Sequence, residues 1–158
     1  MKPLQFTGGA VVLLRHALAG AKLADAALDA VRPLDADGQA TSLALPEALR
    51  EHLEVTRILS SPLQRCVETV EPLARAHRLS VARRTALRPD ATPDEALACL
   101  LAAPAGTVAC THGELIDALL PAIRCEKGAF LVIAREAGSL VPVRYVAPPL
   151  VRVAVGAG

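Results

Sequence analysis

Five short runs that read as strands constrain this chain most: Ala10 to Leu14, Val55 to Ser60, Leu79 to Ala82, Thr107 to Cys110 and Ala129 to Ala134. Three of them are almost uninterrupted apolar, the pattern of strands buried on both faces of a parallel sheet, and helical patterns stand between most of them. That alternation predicts an α/β layer fold. A last segment, Ser139 to Val146, contains Pro142 and belongs at a sheet edge.

At 158 residues, 53% hydrophobic and 21% charged, the sequence reads as one globular domain, with a core of about 10–146 and a tail from Ala147 to Gly158 that is docked or frayed. Seventeen Lys and Arg stand against sixteen Asp and Glu, a net charge of +1 that sets up no field to recruit nucleic acid or an anionic membrane. Aromatic residues make up 2%, Phe6, Phe130 and Tyr145, too few for base-stacking platforms. No nucleic-acid or membrane partner is therefore expected. Arg15 and His16 cut the first apolar run far short of the roughly eighteen residues of a spanning helix and interrupt any signal-peptide core, so a cytoplasmic location is expected. Cys66, Cys99, Cys110 and Cys125 lack Cys-x-x-Cys spacing and read as reduced thiols, without a zinc site or a disulfide framework. Whether Cys110, just before Thr111-His112, is sensitive to oxidation is left open.

The helices carry punctuation. Asp35 caps a helix through Leu43, which Pro46 is expected to kink or divide before Leu53. Ser61-Pro62 places a cap serine before a first-turn proline, ahead of the apolar stripe Leu63, Val67, Val70, Leu73, and that helix is expected to end near His77. A third helix begins at Thr92-Pro93 and runs through Leu100; a fourth follows Thr111 to about Ile123.

Polar residues collect after three of the strands: Arg15 and His16 after the first, Ser60-Ser61 and Arg65 after the second, Thr111, His112 and Gly113 after the fourth. Ligands of open α/β sheets bind beyond the carboxyl ends of the strands, so these groups are expected to converge. Two guanidinium forks, two imidazoles and two helix N-termini describe a site for a tetrahedral anion such as phosphate, with no metal required. Each element also has a plainer reading: histidines satisfy backbone groups, Ser-Ser-Pro caps a helix, Arg65 is a solvated side chain, and Thr-His-Gly is a turn. Three strand-end signals that all suit one anion are what favours the site.

The segments LLRHALAG (Leu13 to Gly20), PLDADGQA (Pro33 to Ala40), SSPLQRCVET (Ser60 to Thr69) and CTHGEL (Cys110 to Leu115) resemble the histidine phosphatase, or phosphoglycerate mutase-like, superfamily, and occur in that family's order. The Arg-His-Ala-x-Ala form and the short chain resemble its SixA-type phosphohistidine phosphatases. Pro46 and Lys127-Gly128 also match the histidine phosphatase domain that follows a Nudix domain in some bacterial MutT-type proteins. The resemblance implies a three-layer α/β sandwich whose mostly parallel sheet of about six strands carries helices on both faces. It implies that His16 is the nucleophile, forming a phosphohistidine that water hydrolyses, and that Arg15, Arg65 and His112 hold the phosphoryl oxygens, with Ser61 and Gly113 beside them. No cofactor is implied. Flanking arginines disfavour the cationic form of His16, the direction a nucleophile needs.

The family's larger members carry a glutamate as general acid between the third and fourth strands; here that stretch reads TALRPDATPDEA, with Asp90 as the candidate acid and Glu95 second. The plainer reading is that Asp90 precedes a helix whose dipole Glu95 complements. Expelling an alkoxide demands a proton donor, whereas imidazole, with a conjugate acid of pKa about 6.5, demands much less. A weak acid therefore favours phosphohistidine. The stretch from Arg75 to Arg88 holds six basic side chains and no acid, and reads as a solvated face or a landing surface for an acidic partner or polyphosphate, a choice that extends to Lys127. Between Ala82 and Thr107 there is room for one helix and loops, which implies an open site and no mutase activity. The expectation is a metal-independent phosphatase, monomer or weak dimer, acting on phosphohistidine or a phosphomonoester. A nucleoside di- or polyphosphate phosphatase and a non-catalytic phosphate-binding module are the alternatives.

Overall fold

The computed structural model describes residues 9–149. Positions 150–158 of the expected tail, and Phe6, lie outside them. A six-stranded sheet is built from β1 (Ala10–Arg15), β2 (Arg57–Ser60), β3 (Val81–Arg83), β4 (Thr107–Thr111), β5 (Phe130–Glu136) and β6 (Ser139–Val146), in the order β3-β2-β4-β1-β5-β6. Strands β3, β2, β4 and β1 pair in parallel; β5 runs antiparallel to β1, and β6 to β5.

Both faces of the sheet are covered because the central strands are apolar on both sides along their middles, with polar residues only at their ends. Along β1, Val12 and Leu14 point into one core with Leu45 and Leu49 of α2 (Ala36–Arg50) and Val70 and Leu73 of α3 (Gln64–His77). Val11 and Leu13 point the other way, into a second core with Leu100 of α4 (Pro93–Ala102) and Ile116 of α5 (Gly113–Leu119). The two-residue period of one strand thus feeds two cores, and the architecture is the expected three-layer α/β sandwich. As expected, Pro142 sits on an edge strand, where β5 and β6 shift register between Val132 and Ile133.

Three sequence expectations are corrected. Pro46 does not divide its helix: α2 runs unbroken from the Asp35 cap to Arg50, because Leu45 and Leu49, both fully buried, tie its second half to the sheet. Ser61 does not cap α3, which starts after Leu63; its hydroxyl instead meets the Leu63 N–H at 3.3 Å and a histidine ring. The fourth helix begins at Gly113 and ends at Leu119, short of Ile123. A further short helix, α1 (Ala26–Ala30), capped by Asp25, was not anticipated. The third helix has the capping box that Thr92 and Glu95 allow. No helix among the described residues is long and apolar enough to cross a membrane.

Candidate active site

The three strands that carry polar residues at their ends, β2, β4 and β1, are adjacent in the sheet. Register then does the assembly. Arg15 pairs with Thr111, so the next residues, His16 and His112, emerge side by side; their ring centroids are 5.4 Å apart, edge to face at 63°. Ser60 pairs with Cys110, which puts Ser61 beside the same point. Backbone bonds close the junction: the His16 N–H donates to Thr111 O at 3.1 Å and the Ser61 N–H to Cys110 O at 2.9 Å. The Gly128 N–H lies 3.1 Å from both the Arg15 and His16 carbonyls, at a φ of +84° that suits glycine.

His16 is 6% exposed. Its Nδ1 lies 2.8 Å from Ala17 O, a contact in which only a ring N–H can donate, so the neutral ring keeps its lone pair on Nε2. Ala17 is itself fixed, its N–H donating to the Thr69 hydroxyl at 3.0 Å, and that hydroxyl donates to Arg65 O at 2.6 Å. Burial pushes the His16 imidazole down to about 4, against the raising effect of the Ala17 bond and with further lowering by Arg65, Arg15 and Lys127.

His112 caps α5 and is pushed to about 2 by burial first, then by His16, Arg65, Arg88 and Arg15. Its Nε2 lies 2.8 Å from Ser61 Oγ and 3.4 Å from Cys66 Sγ. Because Ser61 Oγ already accepts from Leu63, we assign its proton to His112 Nε2, which leaves the ring N–H on Nδ1.

Each arginine is anchored through one nitrogen. Arg15 Nη1 donates to Cys125 O at 2.8 Å, and its guanidinium lies against Gly113, where a Cβ would come within 2.7 Å of Cζ. Arg65, 4% exposed, donates from Nη1 to Asp29 O at 3.0 Å and approaches Asp29 Oδ2 at 3.5 Å. On these side chains three buried nitrogens have no hydrogen-bond partner among the described residues: Arg15 Nε, Arg65 Nε and His112 Nδ1. A buried donor without an acceptor is costly, and these three sit on the side chains whose charges and rings surround His16. A tetrahedral anion offers the acceptors they lack.

The structure therefore brings together Arg15, His16, Ser61, Arg65, His112 and Gly113. It leaves Asp90 and Glu95 to other partners: Asp90 pairs with Arg88 Nε at 3.0 Å on the surface, and Glu95 closes the capping box on Thr92. The guanidinium of Arg88 holds the Asp90 carboxyl below the usual carboxylate range. Cys110 is wholly buried and its thiol is pushed well up by that burial, the opposite of a reactive thiolate.

Three supporting residues escaped the sequence reading. Asp29 is buried on α1; it accepts from the Leu23 N–H and Arg32 Nε, both at 2.9 Å, and its carboxyl lies below the usual range chiefly through the Leu23 bond. Arg32 reaches back from there to the Ala19 and Gly20 carbonyls, pinning the loop that follows His16. Thr69 had a signal, since it falls one helical turn after Arg65 within an already suspect segment. Among the described residues no cluster of three or more His, Cys, Asp or Glu could hold a metal ion.

Comparison with known proteins fits this geometry. The family model of the histidine phosphatase superfamily (branch 1) matches residues 11–89. An 8-oxo-(d)GTP phosphatase of Mycolicibacterium smegmatis is 28% identical over 156 residues, covering 88% of this chain and 48% of that protein, so the chain spans about half the length of this curated relative. Among solved structures, the protein histidine phosphatase SixA complexed with tungstate superposes with a TM-score of 0.71 at 24% identity, covering 88% of this chain and 97% of that one. A candidate SixA phosphohistidine phosphatase from Nakamurella multipartitia gives 0.69 at 26% identity, with coverages of 90% and 97%.

Proposed function

The chain belongs to the histidine phosphatase superfamily (branch 1), and from that premise we propose that it hydrolyses a phosphohistidine or a phosphomonoester, without a metal, through a phosphohistidine formed on His16. The observation that carries this reading is the His16 ring itself: Nδ1 is tied to Ala17 O, and Nε2 is left as the free base beside the three unpaired nitrogens. In the first step Nε2 attacks phosphorus in line, the bond to the leaving group breaks, and the leaving group carries off the electron pair. Arg15, Arg65 and the His112 Nδ1–H hold the equatorial oxygens while charge spreads onto them. In the second step water attacks the same phosphorus, the P–N bond returns its pair to Nε2, and orthophosphate departs. Low basicity at His16 keeps the ring neutral and also makes it a good leaving group in this second half.

Asp90 is the proton donor this reading offers for an alkoxide. A carboxyl held ionised by Arg88 donates poorly, whereas a departing imidazole takes up a proton near neutral pH without help, which favours phosphohistidine among the substrates. A second reading, a nucleoside di- or polyphosphate phosphatase, has the name of the Mycolicibacterium relative behind it. It also has Lys127, which adds a further positive charge near His16 beyond the two arginines.

The test is phosphate release from a phosphohistidine peptide, a nucleoside diphosphate and an aryl phosphate, with wild type beside His16→Ala and with EDTA present or absent. Release is expected from wild type, unchanged by EDTA and abolished by the substitution; the preferred compound ranks the two readings. Release that survives in His16→Ala, or stops with EDTA, overturns the mechanism. Phosphate binding without turnover of any of the three makes the chain a binding module.

A further inference from the structure

Two grooves run along the outer face of α3, away from the catalytic side chains. The first, about 530 Å³, is lined by Val31, Pro62, Gln64, Glu68, Glu71 and Arg83. The second, about 230 Å³, continues past Leu34 and Leu43 to Arg75 and shares Glu68 and Glu71 with the first. Gln64, Glu68, Glu71 and Arg75 recur at helical spacing, so the two form one track over twelve residues of α3, about 16 Å from the first to the last at 1.5 Å per residue.

The track begins on the chain segment that carries Ser61 and Arg65, whose own side chains line neither groove. Pro62 and Gln64 flank Ser61, which holds His112, and Arg65, and the wall on the other side is the end of α1, where Asp29 receives Arg65 and Val31 follows two residues later. Its walls carry exposed apolar side chains: Val31 is 57% exposed and Leu43 67% exposed. Its middle is acidic. Glu68 is held by the Leu34 N–H and Gln64, while the neighbouring Glu71 carboxylate has no ion pair among the described residues, and arginines stand at the two ends.

We propose that this track docks the polypeptide around the phosphorylated residue of a protein substrate, taking apolar side chains against Val31 and Leu43 and a lysine or arginine against Glu71. The inference rests on the phosphatase reading and names the substrate class within it. Length and chemistry favour a polypeptide. Among the described residues no aromatic side chain lines either groove to stack on a base, and a nucleotide's phosphates gain nothing from Glu68 and Glu71. An apolar segment with a central cation matches the walls and the middle together.

The experiment uses three short phosphohistidine peptides that differ only in the flank: leucine with lysine, leucine with glutamate, and glycine with serine. Aryl phosphate and guanosine diphosphate serve as small substrates. Wild type is expected to favour the leucine-lysine flank over glycine-serine by about tenfold in kcat/KM. Glu71→Lys is expected to transfer that preference to leucine-glutamate, and Leu43→Glu to abolish it, both leaving aryl phosphate turnover unchanged since neither residue touches the phosphoryl site. Equal rates for the three flanks, or a Glu71→Lys effect confined to guanosine diphosphate, overturns the docking track. Anisotropy of the same peptides without the phosphoryl group reads the track independently of turnover. If no phosphoryl compound is hydrolysed, the proposed function falls, while flank-dependent binding that reverses in Glu71→Lys still upholds the track and its absence overturns it.

Discussion

His16 sits where burial and two arginines push in the same direction, and among the described residues its ring bonds through Nδ1, leaving Nε2, the nitrogen of the proposed attack. An ordinary histidine nucleophile loses activity below about pH 6.5. Here the acid limb of kcat/KM for an aryl phosphate, after correction for the ionisation of the substrate, is expected near pH 4, and a limb at 6.5 would show that the ring is not desolvated in the free enzyme. Gly113 offers a second residue-level prediction. A methyl group at this position would lie 2.7 Å from Arg15 Cζ, and the guanidinium, being the far end of a flexible side chain, gives way before the backbone does. Gly113→Ala is therefore expected to cost about 2 kcal/mol of transition-state stabilisation, some thirtyfold in kcat/KM, with the thermal midpoint little changed. A collapse of stability instead would place the strain in the β4 to α5 turn.

At the scale of elements, α3 ends with Arg78 in the left-handed region at φ 55°, closing the turn through the Leu79 N–H to Ala74 O bond. Arg78→Gly relieves that conformation and is expected to raise stability by about 0.5–1 kcal/mol, read by denaturant unfolding. The elements also show what a sequence can carry. The pairs Arg15-His16 and Thr111-His112 were legible because each closes an apolar run, and a strand buried on both faces has few other reasons to end on Arg-His or Thr-His. Those strands proved adjacent, which made the convergence real. Helix α1 was illegible because it inverts the usual polarity: Leu28 faces solvent while Asp29 is buried to hold Arg65. A five-residue helix built to position an arginine has no apolar stripe to announce it. Ser61-Pro62 misled for a related reason, since the hydroxyl that could have capped α3 is committed to His112. Pro46 shows the reverse, a local breaker overruled by two buried leucines.

For the whole molecule, both buried imidazoles stay neutral when folded and become protonated more readily when unfolded. With folded values of about 4 and about 2 against about 6.5 unfolded, the unfolded chain binds more protons throughout the interval below 6.5. Stability of the phosphate-free protein should thus be at its plateau above about pH 6.5 and fall as the pH drops towards 4, with His112 continuing the loss below that. Thermal midpoints across this range check the sign, and His16→Ala should flatten the upper part of the slope. The closed junction of β1, β4 and β2 has a last consequence. The amide hydrogens of His16 and Ser61 are donated across the central strands rather than within a loop, so they exchange with solvent only when the sheet itself comes apart. A candidate site knotted in this way has no soft, partly melted form of its own. In rising urea, phosphate release and the far-ultraviolet signal of the fold should vanish at one midpoint, and the enzyme should be either wholly competent or wholly lost.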